Sequence, residues 1–318
     1  MSGAAARPRR DPLTIDRLRM LRELDRAGTI AGAARHLGLT SSAVSQQLSA
    51  LEREAGIALV DRAGREATLT SAGHALLPHA DAVLATLEAA SADLDRIRGI
   101  VAGPFRVATV PSAAGALVSP AVTLLRTTHP DLDVTVIDEE PHRSLVHLDR
   151  GLVDLAVVDA YDAVPLTLPP GLASVTLLSE PLVAVLPTRR SRSGARSARR
   201  SVTLADLADE AWIVAPAEVA CGAAVRAACR AAGFEPRVRW QTDDLLLHLD
   251  HVAAGHGVAV LPRLAVRPGL AAVEAVPLLG PGLSRRLLAV TRATAVDRPA
   301  VAAVRHQLLA ACEEAMSG

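Results

Sequence analysis

Residues 29–48 read TIAGAARHLGLTSSAVSQQL, and this stretch decides the N-terminal fold. Ala33 and Ala34 are small enough for two helices to cross closely, and Gly38 permits a sharp reversal between them. Leu37, Val44 and Leu48, with Leu51 just beyond, bury the crossing. Thr29 stands where the first helix needs an N-cap, and Thr40 or Ser41 does the same for the second. The outward face at the start of the second helix is short and polar: Ser41, Ser42, Ser45 and Gln46. Hydroxyls and amides there can reach base edges or phosphates, and the helix N-terminus adds a favourable dipole for a phosphate. The pattern is that of a helix-turn-helix.

Upstream, Ile15, Leu18, Leu21 and Leu24 mark a first helix that Gly28 stops, and residues 1–12 read as a disordered tail. Downstream, Ala58–Asp61 and Glu66–Leu69 flank Arg62-Ala63-Gly64-Arg65, the pattern of a two-stranded wing with a basic tip. A long helix is expected over 71–98. Leu76, Ala80, Val83, Leu87, Ala90, Leu94 and Ile97 recur on it at alternating intervals of four and three, a heptad stripe. So narrow a stripe suits a partner helix and predicts dimerisation; the alternative is an amphipathic helix lying on its own domain.

The 318 residues are enough for two or three domains, and half are hydrophobic. Aromatics are only 2%, so Leu, Val and Ala must fill the core by close packing. The chain has no Lys; all 34 basic residues are Arg, which reflects composition bias rather than function. Formal net charge is zero, but residues 1–70 carry 11 Arg against 8 acids, so that segment is net +3 and the rest −3. The sign suits a nucleic-acid module at the N-terminus, weakly. Three Cys argue against a disulfide framework and fit a reducing cytoplasm. Neither a signal peptide nor a membrane span is expected.

Beyond a hinge at 99–104 the pattern changes to short apolar strands alternating with helices, which predicts α/β units with parallel sheets in two lobes around a cleft. The expected organisation is a tail (1–12), a DNA-binding module (13–70), a linker and dimerisation helix (71–99), lobe I (104–163 with 284–318) and lobe II (164–283). Residues 189–200 hold six Arg among Ser, Gly and Ala; they read as a solvated loop between lobe II elements, or else as a second nucleic-acid patch.

Several motifs together resemble the LysR-type transcriptional regulators. These are Ala33-Ala34-x-x-Leu37, Ala43-Val44-Ser45-x-Gln47-Leu48-x-x-Leu51-Glu52, Gly56-x-x-Leu59-x-x-Arg62 and Leu69-Thr70-x-x-Gly73. Asp154-Leu155-Ala156-Val157 and Gly255-x-Gly257-Val258-Ala259-Val260-Leu261-Pro262 extend the likeness to the C-terminal part. The resemblance implies an all-α winged helix-turn-helix with a long linker helix, followed by a two-lobed α/β effector domain of the type 2 periplasmic-binding-protein-like fold. It also implies a homo-oligomer, a dimer or tetramer, that binds promoter DNA, responds to a small-molecule effector, has RNA polymerase as a further candidate partner, and has no catalytic role or cofactor. Carried over by position, Thr29, Thr40, Ser41, Ser42, Ser45 and Gln46 would face DNA, Arg53 would touch its backbone, and Arg62 would reach the minor groove. Ile30 and Val60 stand where the family usually has Phe, and Ser41-Ser42 and Gln46 depart from common choices at the base-reading positions.

For the effector, Pro111-Ser112-Ala113 follows the first strand of lobe I, where free N–H groups could hold an anion, and Ala217-Glu218 follows Pro216 at the equivalent point of lobe II. Ser112 is either an effector contact or an N-cap. Glu218 would repel a carboxylate, which points to a neutral or amine-bearing effector. Asp138-Glu139 and Gln241-Thr242 are further cleft candidates. Cys221 and Cys229 would lie eight residues and about 12 Å apart on one helix, too far for a disulfide. His248, His251 and His256 read as ordinary surface and turn histidines rather than metal ligands. A two-lobed enzyme or solute-binding protein is the rival reading, but no nucleophile elbow, P-loop or dinucleotide fingerprint is present.

Overall fold

The computed structural model describes residues 13–61, 67–188, 201–266, 272–279 and 283–317. The tail, the wing tip with Arg62 and the Arg-rich segment 189–200 lie outside the described residues. The chain divides into two units, Met1–Ile97 and Arg98–Gly318.

In the first unit α1 (Ile15–Ala27), α2 (Ile30–Leu37) and α3 (Ser41–Ala55) each end on a glycine in the left-handed conformation; Gly38, at φ +65°, makes the expected reversal. Thr29 caps α2 by accepting from Gly32 N at 3.0 Å, and Thr40 caps α3 by accepting from Ala43 N at 3.2 Å. Leu21, Leu24, Ala33, Val44, Leu48 and Leu51 form the core of the crossing. The wing strands β1 (Val60–Asp61) and β2 (Thr68–Leu69) pair antiparallel. Glu52 on α3 accepts the backbone N–H of both Leu59 and Val60 at 3.0 Å, which ties the wing to the end of that helix. Thr70 Oγ1 donates to Ala58 O at 2.8 Å and accepts from Gly73 N at 3.1 Å, which caps α4 (Ser71–Arg98) against the wing. A Cβ at position 73 would lie 2.3 Å from Leu59 O, so only glycine lets α4 pass this close. The heptad stripe divides: Leu76 and Ala80 pack into the core of this unit, while Val83, Leu87, Leu94 and Ile97 are exposed along α4.

In the second unit β3 (Gly103–Thr109) pairs in parallel with β4 (Leu132–Asp138) and β5 (Leu155–Tyr161). A short helix, α5 (Pro111–Ala113), runs through a π-turn into α6 (Ser119–Thr128), and α7 (Pro141–Asp149) leads back to β5. From there the sheet departs from the parallel arrangement expected. β11 (Ser284–Arg292) is antiparallel to β5 and to β6 (Leu172–Pro187), and β6 is antiparallel to β9 (Ala259–Pro262) and β10 (Val273–Pro277). β5 and β6 run in the same direction but do not pair; β11, from the far end of the chain, lies between them antiparallel to both.

β6 also moves the lobe boundary. Its first ten residues pair with β11 in the lobe I sheet, and 182–187 pair with β9 and β10 in lobe II. The expected start of lobe II at 164 therefore falls too early, because 172–181 belong to the lobe I sheet. Lobe II is completed by β7 (Ala211–Val214), α8 (Ala220–Ala231), β8 (Arg237–Gln241) and α9 (Leu245–Ala253), with β7 parallel to β8 and bridged to β9 through Trp212 and Val258. The C-terminal α10 (Pro299–Ser317) packs Val301, Val304 and Leu308 against the lobe I core beside Phe105 and Leu117. Asp154 locks this lobe: Oδ2 accepts from Arg106 N at 2.9 Å, and Oδ1 faces Arg298 at 3.5 Å.

Candidate functional sites

On α3, Ser41, Ser42 and Gln46 are exposed and Ser45 is half-buried, while Val44 and Leu48 on the opposite face are buried. The polar face the sequence selects is therefore the one α3 presents outward. Thr40 Oγ1 also lies 3.0 Å from Ser42 Oγ, so these two hydroxyls hold each other at the helix start. Arg53 is exposed and its Nε donates to Ser49 O at 3.4 Å. Gln47, beside this polar face, accepts from Arg17 Nε at 2.9 Å, and Arg17 also pairs with Glu54, so α1 fixes the orientation of α3. Thr29, a cap for α2, has its oxygen engaged with the backbone.

The second site is a cavity of about 980 Å³ in the C-terminal unit. Its lining follows the carboxyl ends of strands: Pro111 and Ser112 after β3, Asp138 to Glu140 at the end of β4, Glu218 after β7, and Asp243 after β8. That is where open α/β sheets place ligands. A recess of about 40 Å³ adjoins it, sharing Pro111, Ser112, Glu140 and Asp243 with its lining and adding Asp159 and Tyr161 from the end of β5, Cys221 and His248.

Asp159 and Ser112 of the recess also belong to a buried ionic cluster. Arg285 on β11 is wholly enclosed; its Nε donates to Glu180 Oε1 at 2.7 Å, and its Nη1 donates to Ser112 Oγ at 2.6 Å and to Asp159 Oδ2 at 3.3 Å. Glu180 Oε2 accepts from Leu264 N at 2.8 Å, and Tyr161 donates to Asp159 Oδ2 at 2.9 Å. Burial, with Asp159, Asp138 and Asp243 nearby, pushes the Glu140 carboxyl from 4.5 up to about 7. Burial, then Glu139, raises Asp138. Burial also lowers His248, whose Nδ1 lies 3.0 Å from Asp244 O, so this imidazole is neutral with its proton on Nδ1.

Of the effector residues expected from sequence, Pro111, Ser112, Glu139 and Glu218 line the cavity. Ala113 instead belongs to the lobe I core, because the turn into α6 points it inward. Ala217 and Gln241 are exposed but outside the lining, and Thr242 accepts from Asp244 N at 3.1 Å rather than facing the cavity. The lining shifts by two residues along the chain to Asp243 and Asp244. Ser112 is no N-cap; Val110 holds that place, and the serine hydroxyl is engaged by Arg285. The expected anion-holding amides are partly spent, since Ala113 N and Ala114 N both donate to Val110 O, and carboxylates crowd the site instead. Glu140, Asp159, Tyr161, His248 and Arg285 are absent from the candidates that sequence selects. A charged residue inside an apolar strand, as at Asp159 and Glu180, is the one signal that could have found part of this cluster.

Among the described residues no group of three or more His, Cys, Asp or Glu could hold a metal, and no helix is long and apolar enough to cross a membrane.

Comparison with known proteins matches residues 15–74 to the bacterial regulatory helix-turn-helix protein, lysR family, and residues 98–313 to the LysR substrate binding domain. The probable HTH-type transcriptional regulator LrrA of Synechococcus elongatus is 29% identical over 289 residues, 91% of this chain and 94% of that protein. A probable hydrogen peroxide-inducible genes activator of Streptomyces viridosporus is 30% identical over 244 residues, 74% of this chain and 73% of the relative. A probable RuBisCO transcriptional regulator of Cyanophora paradoxa is 31% identical over 176 residues, 55% of this chain but only 54% of that protein. Among solved structures, a full-length OxyR variant from Pseudomonas aeruginosa covers 94% of this chain and 95% of its own at a TM-score of 0.67 and 20% identity, a likeness of fold.

Proposed function

The chain belongs to the LysR family of bacterial transcriptional regulators, and on that premise we propose that it is a homo-oligomer whose grip on promoter DNA responds to a small molecule held in the C-terminal cavity. It is a DNA-binding regulator with an effector-binding fold, not an enzyme. The observation that carries the effector reading is the cavity itself. At about 980 Å³ it falls at the upper end of the ~300–1,000 Å³ range of small-molecule sites, and its lining comes from the strand ends of both lobes. In this reading the α3 face of Ser41, Ser42, Ser45 and Gln46 enters the major groove, with Arg53 on the phosphate backbone and Arg62 on the wing. The exposed stretch Val83 to Ile97 of α4 packs against a second copy. The effector shifts a population between two arrangements by binding one more tightly.

A redox signal, as the name of the Streptomyces relative suggests for that protein, finds no support in the thiols. Burial pushes Cys221, Cys229 and Cys312 each up to about 11, so they are thiols rather than reactive thiolates at neutral pH. Cys221 and Cys229 sit eight residues apart on α8.

Nuclease footprinting on the intergenic DNA upstream of the chain's own gene tests the reading. Ser45→Ala and Gln46→Ala should blur discrimination between operator variants while leaving the phosphate-driven affinity largely intact. Unaltered footprints with both variants would remove α3 from the major groove.

A further inference from the structure

Asp159 is 6% exposed, and its Oδ1 has no hydrogen-bond partner although Oδ2 has two. A carboxylate oxygen left unpaired away from bulk water is costly, and this one belongs to a side chain that lines the recess. The recess offers further acceptors: the carboxyls of Glu140 and Asp243, and His248, whose Nε2 is a lone pair because Nδ1 carries the proton.

The buried cation nearby does not answer this demand. Arg285 is enclosed by Glu180, Asp159 and Ser112 and lines neither the recess nor the cavity above it, so two buried carboxylates face one guanidinium that no ligand can reach. The outer cavity continues the imbalance. Six acids line it against His142 and Arg143. Glu139 is taken by His147 at 2.8 Å and Asp244 by the α9 cap, which leaves Asp138, Glu140, Glu218 and Asp243 without such bonds among the described residues. Leu245, Leu249 and Leu264 supply an apolar wall.

We infer that the cleft takes an aliphatic primary amine, its ammonium in the recess beside the carboxyls of Asp159 and Glu140 and its alkyl body along the leucine wall. The inference rests on the reading of this cavity as the effector site. The recess, at about 40 Å³, has room for an ammonium head. The acids Asp138 and Glu218 at the outer level suit a second cationic group on the same molecule.

Three four-carbon probes, one dicationic, one neutral and one dianionic, test this on the full-length protein by thermal shift and calorimetry: 1,4-diaminobutane, 1,4-butanediol and succinate. The diamine should bind and raise the midpoint, while the diol and succinate do neither. Glu140→Gln and Asp159→Asn should each weaken the diamine about tenfold or more. Because Asp159→Asn also alters the Arg285 cluster, Glu140→Gln and Asp243→Asn carry the test if that variant misfolds. A silent diamine, or succinate binding as well as the diamine, overturns the amine class. If Ala114→Trp, which puts a large ring into the cavity lining, abolishes that succinate binding, the cleft survives as the effector site and only the amine falls. Diamine binding indifferent to Ala114→Trp, Glu140→Gln and Asp159→Asn would overturn the cleft itself.

Discussion

Arg285 Nη1 donates a 2.6 Å hydrogen bond to Ser112 Oγ, joining β11 to the first turn after β3 across 173 positions of sequence. The serine that sequence marks out for a ligand is thus committed to the floor of the cleft. Ser112→Ala should cost about 2 kcal/mol in denaturant unfolding, the typical value of a hydrogen bond to a charged group. Arg285→Met should cost more, about 3–5 kcal/mol, because Glu180 and Asp159 would stay buried without their counter-ion. Equal, small losses in the two variants would contradict the cluster's role.

Glu140 makes stability depend on pH. Its folded pKa is raised from 4.5 to about 7 by burial and by Asp159, Asp138 and Asp243; Glu139, Glu218, Asp244, His142, Arg143 and His248 also line the surrounding cavity and recess. For a raised carboxyl, the stabilising contribution is complete below pH 4.5 and is lost as pH climbs through 7. Glu140→Gln should therefore melt above the wild type at about pH 8 and converge with it near pH 4.5, by calorimetry of the unliganded protein. A difference that stays constant with pH would show that Glu140 does not titrate in this window.

Gly73 marks the seam between wing and linker helix. A Cβ there would meet the backbone oxygen of Leu59 at 2.3 Å, and a backbone atom cannot swing aside as a side chain can. Gly73→Ala should destabilise the DNA-binding unit by about 1–3 kcal/mol, the usual cost of overpacking, and should weaken DNA binding with it. A neutral substitution in thermal unfolding would contradict the close approach.

Leu87 is 38% exposed midway along the uncovered part of the α4 stripe. If that stripe meets a second copy, Leu87→Asp should yield monomers in sedimentation at concentrations where the wild type is a dimer or larger. An intact oligomer would assign the interface elsewhere.

What the sequence reveals depends on how local the cause is. The α2–α3 crossing is legible because Ala33, Ala34, Gly38 and Val44 act within twenty residues of one another, and each does in the structure what its type suggests. The strand ends carrying Pro111, Ser112, Glu139 and Glu218 are legible as loops after apolar runs. β6 is only half legible: Glu180 and Pro181 interrupt its apolar pattern, yet Glu180 is buried against Arg285, more than a hundred positions away. The same distance hides the cleft floor. Nothing near Asp159 in sequence says that Arg285 and Tyr161 share one of its oxygens, or that the other is left over. Only the fold brings such partners together, and so the chemistry of the cleft is not readable until the strands are placed.

DNA binding by the N-terminal unit is the central claim. Anisotropy titration of the full-length protein on the intergenic DNA upstream of its own gene, from about 50 to about 300 mM salt, measures it in one experiment. The expected result is specific binding whose affinity falls steeply with salt, as phosphate contacts release counterions, and which exceeds binding to random DNA of the same length at every salt concentration. Affinity no greater than for random DNA, on this region and on any divergently transcribed neighbour, would contradict it.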